Sequence, residues 1–116
     1  MKGKLLSKYG KSKEGFYNDG INIDSKKGTK VMSSQAGKVI YCGNEIPGYG
    51  NLILIKHSKN WITAYAHLNE VLTEKGKKVS KGEIIGSVGN TGNVRSPQLH
   101  FEIRKGKESV NPLKLL

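Results

Sequence analysis

This sequence is short of cysteine, of long apolar runs and of negative charge. The single Cys42 forbids an internal disulfide. In Tyr41-Cys42-Gly43 it has no basic or histidine neighbour that would favour a thiolate, so it reads as a small strand residue beside a turn. No apolar stretch approaches the ~20 residues of a membrane-spanning helix. The longest clean run is Leu52-Ile53-Leu54-Ile55, the signature of a buried strand. The opening Met1-Lys2-Gly3-Lys4 leads only to Leu5-Leu6 before Ser7-Lys8, which is not a signal-peptide pattern. No internal repeat, low-complexity tract or linker divides the chain, and its 116 residues suit a single domain spanning 1–116 with a modest core. Apolar residues are scarce at 35% and glycine abundant at 15, a balance that favours many turns over long helices. Phe16, Phe101, Trp61 and the tyrosines are the expected bulky elements of core and groove.

Acidic residues number 9 against 20 basic ones, for a net charge of +11. Lysines gather at 2–13, 26–30, 75–81 and 104–107, mostly beside glycine or serine and hence on expected loops. Such a balance is either a solvated coat or an attraction to a polyanion or acidic partner, in which case binding is fast and salt-sensitive. Lys75, Lys77, Lys78 and Lys81 are the candidate partner-binding cluster. Nucleic acid is not the expected partner, because the basic residues are not interleaved with aromatics and no recognition helix can be drawn.

The periodicity predicts an all-β chain. Gly37–Cys42, Leu52–His57, Trp61–His67 and Gly82–Val88 are short β-rich runs bounded by Gly, Pro and Asn. Asn44–Gly50 carries the Pro-Gly signal of a turn, Lys59-Asn60 reads as a tight hairpin, and Ser87, Gly89 and Gly92 suggest a sharp bend. Asn69–Leu72 reads as at most one helical turn. Over Gln98–Arg104, Leu99, Phe101 and Ile103 alternate with Gln98, His100, Glu102 and Arg104. A period of two sends the first set to a core and the second to an opposite, polar face. Closely spaced strands and turns of this kind argue for a compact β-sandwich or barrel. The stretch Lys75–Gly89 is also reminiscent of carrier hairpins bearing a lipoyl or biotinyl lysine, but it holds no Asp-Lys or Met-Lys dipeptide to carry the group.

Three motifs stand out against this background: Asn18-Asp19-Gly20-Ile21-Asn22, Tyr65-Ala66-His67-Leu68 and Gln98-Leu99-His100-Phe101-Glu102. Between and around them run Gly28-Thr29-Lys30-Val31, Ala36-Gly37-Lys38-Val39, Gly48-Tyr49-Gly50-Asn51, Gly76–Gly82, Ile85–Gly92 and Val110-Asn111-Pro112. The ordered series, from about Gly15 to Pro112, resembles the lysostaphin/LytM-type zinc peptidases that cut cross-links in bacterial cell walls. Residues 1–14 lie outside the match, as an N-terminal strand or loop. The resemblance implies two antiparallel sheets, a LytM-like barrel-sandwich hybrid with a groove over the larger sheet.

In that family the first motif reads His-x-Gly-x-Asp and the last His-x-His, so Asn18, Asn22 and Gln98 stand where functional side chains are expected, while His67 and His100 are kept. A catalytic zinc needs three protein ligands and an open position for water. Asn18 and Asn22 offer neutral amide oxygens, which suit hard cations. Gln98 cannot carry a proton between water and leaving group. With no metal to activate water, the site should be catalytically dead, with no catalytic residue and no cofactor. Asp24 returns to the cleft side of its strand but is a poor candidate ligand, and His57 is expected to be a structural or solvated histidine.

The pattern is most similar to the degenerate NlpD-type murein hydrolase activators. That resemblance implies a periplasmic or envelope regulator of N-acetylmuramoyl-L-alanine amidases in peptidoglycan remodelling and cell division. Its partners would be an amidase, peptidoglycan, or both, with membrane contact only through a missing N-terminal anchor. The chain would then be the C-terminal piece of a longer exported protein. The alternative is a zinc-dependent endopeptidase with aberrant ligands.

Overall fold

A computed structural model describes residues 3–12, 15 and 17–114. Phe16, expected among the bulky core residues, lies outside them. Twelve short strands follow one another: β1 (Leu5–Ser7), β2 (Gly10–Lys11), β3 (Tyr17–Asn18), β4 (Ile21–Asp24), β5 (Lys30–Met32), β6 (Gly37–Gly43), β7 (Asn51–Lys56), β8 (Trp61–Val71), β9 (Lys78–Val79), β10 (Ile84–Val88), β11 (Gln98–Lys105) and β12 (Glu108–Val110). Single 3-10 turns at Ser58–Asn60 and Pro112–Lys114 complete the described residues, and none of their helical segments is long and apolar enough to cross a membrane. The all-β class expected from the periodicity is what forms.

All strand pairs are antiparallel. The main path runs β1-β4-β11-β8-β7-β6-β9, with β12 on the end of β11 and a separate β2-β3 ribbon. The two layers are joined by β8. Its first half pairs with β11 and β7, whereas Leu68–Val71 pair with β10, which in turn pairs with β5. Between the layers pack Ile21, Val39, Ile53, Ile55, Tyr65, Leu68, Ile85, Val88, Leu99 and Phe101, all buried. The alternation read from β11 is realised, with Leu99, Phe101 and Ile103 in this core.

One expectation is corrected. Asn69–Val71 continue β8 as strand, because Glu70 and Val71 find register partners in Ser87 and Gly86; pairing with β10 overrides the weak local helical signal. Tyr17, expected in core or groove, lines the groove while 61% exposed, its ring meeting Tyr9 edge-on. Tyr65 and Phe101 are buried and stack 5.4 Å apart, and Trp61 is half-buried with the Lys105 ammonium 4.8 Å from its ring centre.

Candidate functional site

The groove face of β11 and its neighbour β4 build the site. Register sets His100 opposite Asn22 and Gln98 opposite Asp24, so the last and first motifs lie side by side. The glycine between Asn18 and Asn22 has a steric reason. A Cβ on Gly20 would come within 2.1 Å of the Phe101 carbonyl oxygen, so only glycine lets this turn close onto β11. The Gly20 N–H then donates to Asn18 Oδ1 at 3.0 Å, fixing the asparagine across the turn.

The amides at Asn18, Asn22 and Gln98 form one directed chain. Asn18 Nδ2 donates to Asn22 Oδ1 at 3.0 Å, Asn22 Nδ2 donates to Gln98 Oε1 at 2.8 Å, and Gln98 Nε2 donates to the Ser96 carbonyl at 3.2 Å. Both ends are anchored by groups with a single role, the Gly20 N–H and the Ser96 carbonyl, so the orientation of every amide follows from the network. Asn18 Nδ2 also reaches Ser7 Oγ on β1 at 2.9 Å.

His100 joins this chain to a buried carboxylate. Its Nδ1 lies 3.0 Å from Asn22 Oδ1 and its Nε2 lies 2.8 Å from Glu102 Oε2. Both ring nitrogens are therefore within hydrogen-bond distance of an oxygen, and neither points free into the groove. Glu102 is 2% exposed, and two further groups hold it: the Tyr49 hydroxyl donates to Oε2 at 2.9 Å and Arg104 Nε donates to Oε1 at 2.7 Å. Burial alone would raise the Glu102 pKa, but the hydrogen bonds and charges of His100 and Arg104 outweigh it, and the net displacement is downward. Burial, reinforced by the same carboxylate, pushes the Tyr49 phenol up to about 12. Arg104 also reaches Asp19 at 3.7 Å, and its pKa is raised by Glu102 despite the opposing effect of burial. A buried charge with this many partners meets the condition on which burial of a charge is tolerated.

His67 sits where β8 crosses between layers, with φ 64, a left-handed conformation uncommon outside glycine. Its backbone N–H donates to the Tyr49 carbonyl at 2.9 Å, and its Nδ1 donates to the Thr91 carbonyl at 2.8 Å. Nε2, without a hydrogen-bond partner among the described residues, is thereby left as an acceptor. Burial holds its pKa below the ordinary imidazole range; the Thr91 bond opposes this and neighbouring His100, 6.0 Å away ring to ring, adds to it. The loops walling this side interlock. Asn93 N–H donates to the Gly48 carbonyl, Asn51 N–H donates to Thr91 Oγ1, and a Cβ on Gly92 would lie 2.6 Å from both Gly48 O and Gly50 N. Together these elements enclose a polar cavity of about 330 Å³ lined by Asn18, Asn22, Tyr49, His67, His100 and Glu102 among others.

All five motif residues thus come to one place: Asn18, Asn22, Gln98 and His100 in one network, and His67 beside it. Asp24 is exposed, directly across from Gln98 in register. His57 lies elsewhere as a structural histidine, its Nδ1 donating to the Ala36 carbonyl at 2.7 Å and its Nε2 lying 2.8 Å from Thr63 Oγ1. Lys75, Lys77, Lys78 and Lys81 are all exposed, in and beside β9, with Lys77 ion-paired to Glu83 at 3.2 Å. Cys42 is a free, half-buried thiol whose pKa burial raises, in keeping with an unreactive strand residue. The sequence pointed to no role for Glu102 or Thr91, and gave Tyr49 only a place among the bulky groups of core and groove. Alternation did put Glu102 on the site face, but nothing in the chain announced that Tyr49 and Thr91 would meet it and His67 there.

A groove-bearing two-layer β fold, with this ordered set of motif positions on its larger face, defines a class of cell-wall peptidases and their relatives. The chain belongs to that class: residues 16–112 match peptidase family M23. It is 46% identical to the cell division protein DipM of Caulobacter vibrioides over 90% of this chain and 17% of that one, and 43% identical to the murein hydrolase activator NlpD of Escherichia coli over 98% and 29%. The uncharacterized lipoprotein YgeR of Escherichia coli is also 43% identical, over 98% and 44%. The chain therefore spans less than half the length of these relatives. Among solved structures it resembles the catalytic domain of the prophage-encoded M23 protein EnpA from Enterococcus faecalis, with TM-score 0.87 and 32% identity over 94% of this chain and 88% of that one. The lysostaphin catalytic domain from Staphylococcus simulans superposes with TM-score 0.90 at 26% identity over 97% and 90%.

Proposed function

We propose that this chain is a non-catalytic M23 domain that activates a cell-wall N-acetylmuramoyl-L-alanine amidase in the bacterial envelope during division. The observation that carries the reading is the state of His100. The motif's remaining ligand candidate has both nitrogens committed, to Asn22 Oδ1 and Glu102 Oε2, while the other two ligand positions hold neutral amides. Among the described residues no group of three or more His, Cys, Asp or Glu is arranged to hold a metal ion. This donor set does not fit zinc, which needs imidazole lone pairs and negative charge. Without a metal-activated water, His67 has a free acceptor but no nucleophile to serve. The relatives support the cellular setting: NlpD is named a murein hydrolase activator, DipM a cell division protein and YgeR a lipoprotein.

The test is release of fragments from purified peptidoglycan sacculi by a purified amidase, with and without the chain, alongside zinc analysis of the chain after dialysis. The reading expects no release by the chain alone, faster release by the amidase in its presence, and zinc well below one per chain. Sacculus digestion by the chain alone, with one zinc bound, would establish the aberrant endopeptidase instead.

A further inference from the structure

The groove face of the large sheet extends beyond the site. Register sets Arg104 opposite Ile62, Ile62 opposite Lys56, Lys56 opposite Lys38 and Lys38 opposite Lys78. Directly opposed residues of antiparallel strands project to one face, and adjacent strands lie ~4.8 Å apart. The five strands β11, β8, β7, β6 and β9 thus carry one continuous row. Arg104 identifies the face, since its guanidinium is bonded to Glu102 inside the cleft.

Lys38, Lys56 and Lys78 are exposed, and none is ion-paired among the described residues, unlike Arg104 and Lys77. Like charges set directly opposite one another destabilise a sheet, so the row gives the fold nothing. Lysine on an edge strand guards against aggregation, which would account for Lys78 on β9. It does not account for Lys38 and Lys56, whose strands are paired on both sides along the path. Beside the row on the same face lie Leu54 and its register partner Tyr41, and the row itself includes Ile62; all three are half-buried.

We infer that this row is the docking surface for an acidic protein partner. Two or three carboxylates would face the lysines, and an apolar side chain would seat on Leu54, Tyr41 and Ile62. The inference rests on the activator reading and specifies which surface the murein hydrolase engages. Charge alone would suit a polyanion equally, but the adjoining apolar half suits a protein surface, which presents both chemistries together.

The test compares the triple variant Lys38→Glu/Lys56→Glu/Lys78→Glu with Lys26→Glu/Lys27→Glu/Lys114→Glu, a control with the same change in net charge at exposed positions outside the row and the 75–81 cluster. Binding of the whole chain to purified N-acetylmuramoyl-L-alanine amidase and to purified sacculi is measured at two salt concentrations. The row variant is expected to lose about tenfold or more in amidase affinity, chiefly through association rate, and the control less than about threefold. Lysine-to-glutamine versions of both triples, which remove charge without adding repulsion, are expected to fall in the same order. Equal losses in both variants would reduce the row to net charge and overturn it, leaving the activator reading intact. A row variant that loses sacculus binding but keeps the amidase would show a polymer-binding surface and overturn the protein partner. A wild-type chain that binds no amidase would overturn both the row and the reading beneath it.

Discussion

The two faces of the large sheet each carry a hydrogen-bonded chain through a histidine, built from different materials. On the core side, Ser34 N–H donates to the Tyr65 hydroxyl at 3.0 Å, Tyr65 lies 2.8 Å from Thr63 Oγ1, and Thr63 reaches His57, which donates to Ala36. No carboxylate or guanidinium takes part, and the chain ties the 33–36 loop to the sheet. On the groove side, the chain from Gly20 to Ser96 meets a buried carboxylate and a guanidinium through His100. Both histidines end fully engaged, though only one lies in a family motif. The lesson is that a retained motif histidine is not evidence of retained chemistry; its partners decide. Among the described residues, His67 keeps a nitrogen without a hydrogen-bond partner, and the other two histidines do not.

The sharpest way to break this contrast is to restore the missing donors. Asn18→His with Asn22→Asp supplies an imidazole and a negative charge beside His100 Nδ1, where only neutral amides stand now. The double variant should pass from no uptake to about one zinc per chain in a competition titration. A folded double variant that takes up none would mean that these positions do not converge on His100. Next in size is the carboxylate itself. Glu102→Gln removes the buried carboxylate that Arg104 and His100 share, leaving Arg104 only its longer contact to Asp19, and should cost about 3 kcal/mol in urea unfolding, because removing one partner of a buried ion pair strands the other. A loss below ~1 kcal/mol would show that the groove-side network is not held by its charge.

The pH dependence separates the two groove histidines' surroundings. Glu102 has a depressed folded pKa, so its stabilisation is complete above the unfolded value of about 4.3 and is lost as pH falls through the lower folded value. His67 is also depressed, so the unfolded chain takes up its proton first, and stability declines as pH drops below about 6.5. Unfolding free energy measured from pH 7.5 to 3 should therefore fall in two stages. His67→Gln should flatten the upper stage and Glu102→Gln the lower; unchanged profiles would refute the assignment. The smallest effect belongs to the core side. Thr63→Val removes the hydroxyl between His57 and Tyr65 and should cost about 1–2 kcal/mol, less than Glu102→Gln, because only neutral hydrogen bonds are lost.

Much of this was legible in the chain, for local reasons. The alternation of β11 is strict, so both its core side and its site side could be read off a period of two. The ordered glycines and the three motifs carried the family and the site positions. What remained hidden depends on residues far apart in sequence. Lys38 and Lys56 fell outside every lysine cluster, and only strand pairing aligns them with Lys78. Glu102 reads as one polar residue among four until Tyr49, from a separate loop, closes over it. The extension of β8 through Val71 was missed because its pairing partner β10 is supplied from outside the local window.

The interlocked loops around Gly48 and Gly92 make the two walls of the cavity a single mechanical part. Gly92 lies against Gly48 and Gly50 with no space for a methyl group, and the same pair of loops holds His67 at two points, its N–H through Tyr49 and its ring through Thr91. A molecule pressing on either wall must displace both, and with them the imidazole. The rim therefore reports occupancy as one lever: nuclear magnetic resonance shifts at His67, Tyr49 and Thr91 should move together on titration with any ligand of this cleft, in a fixed ratio.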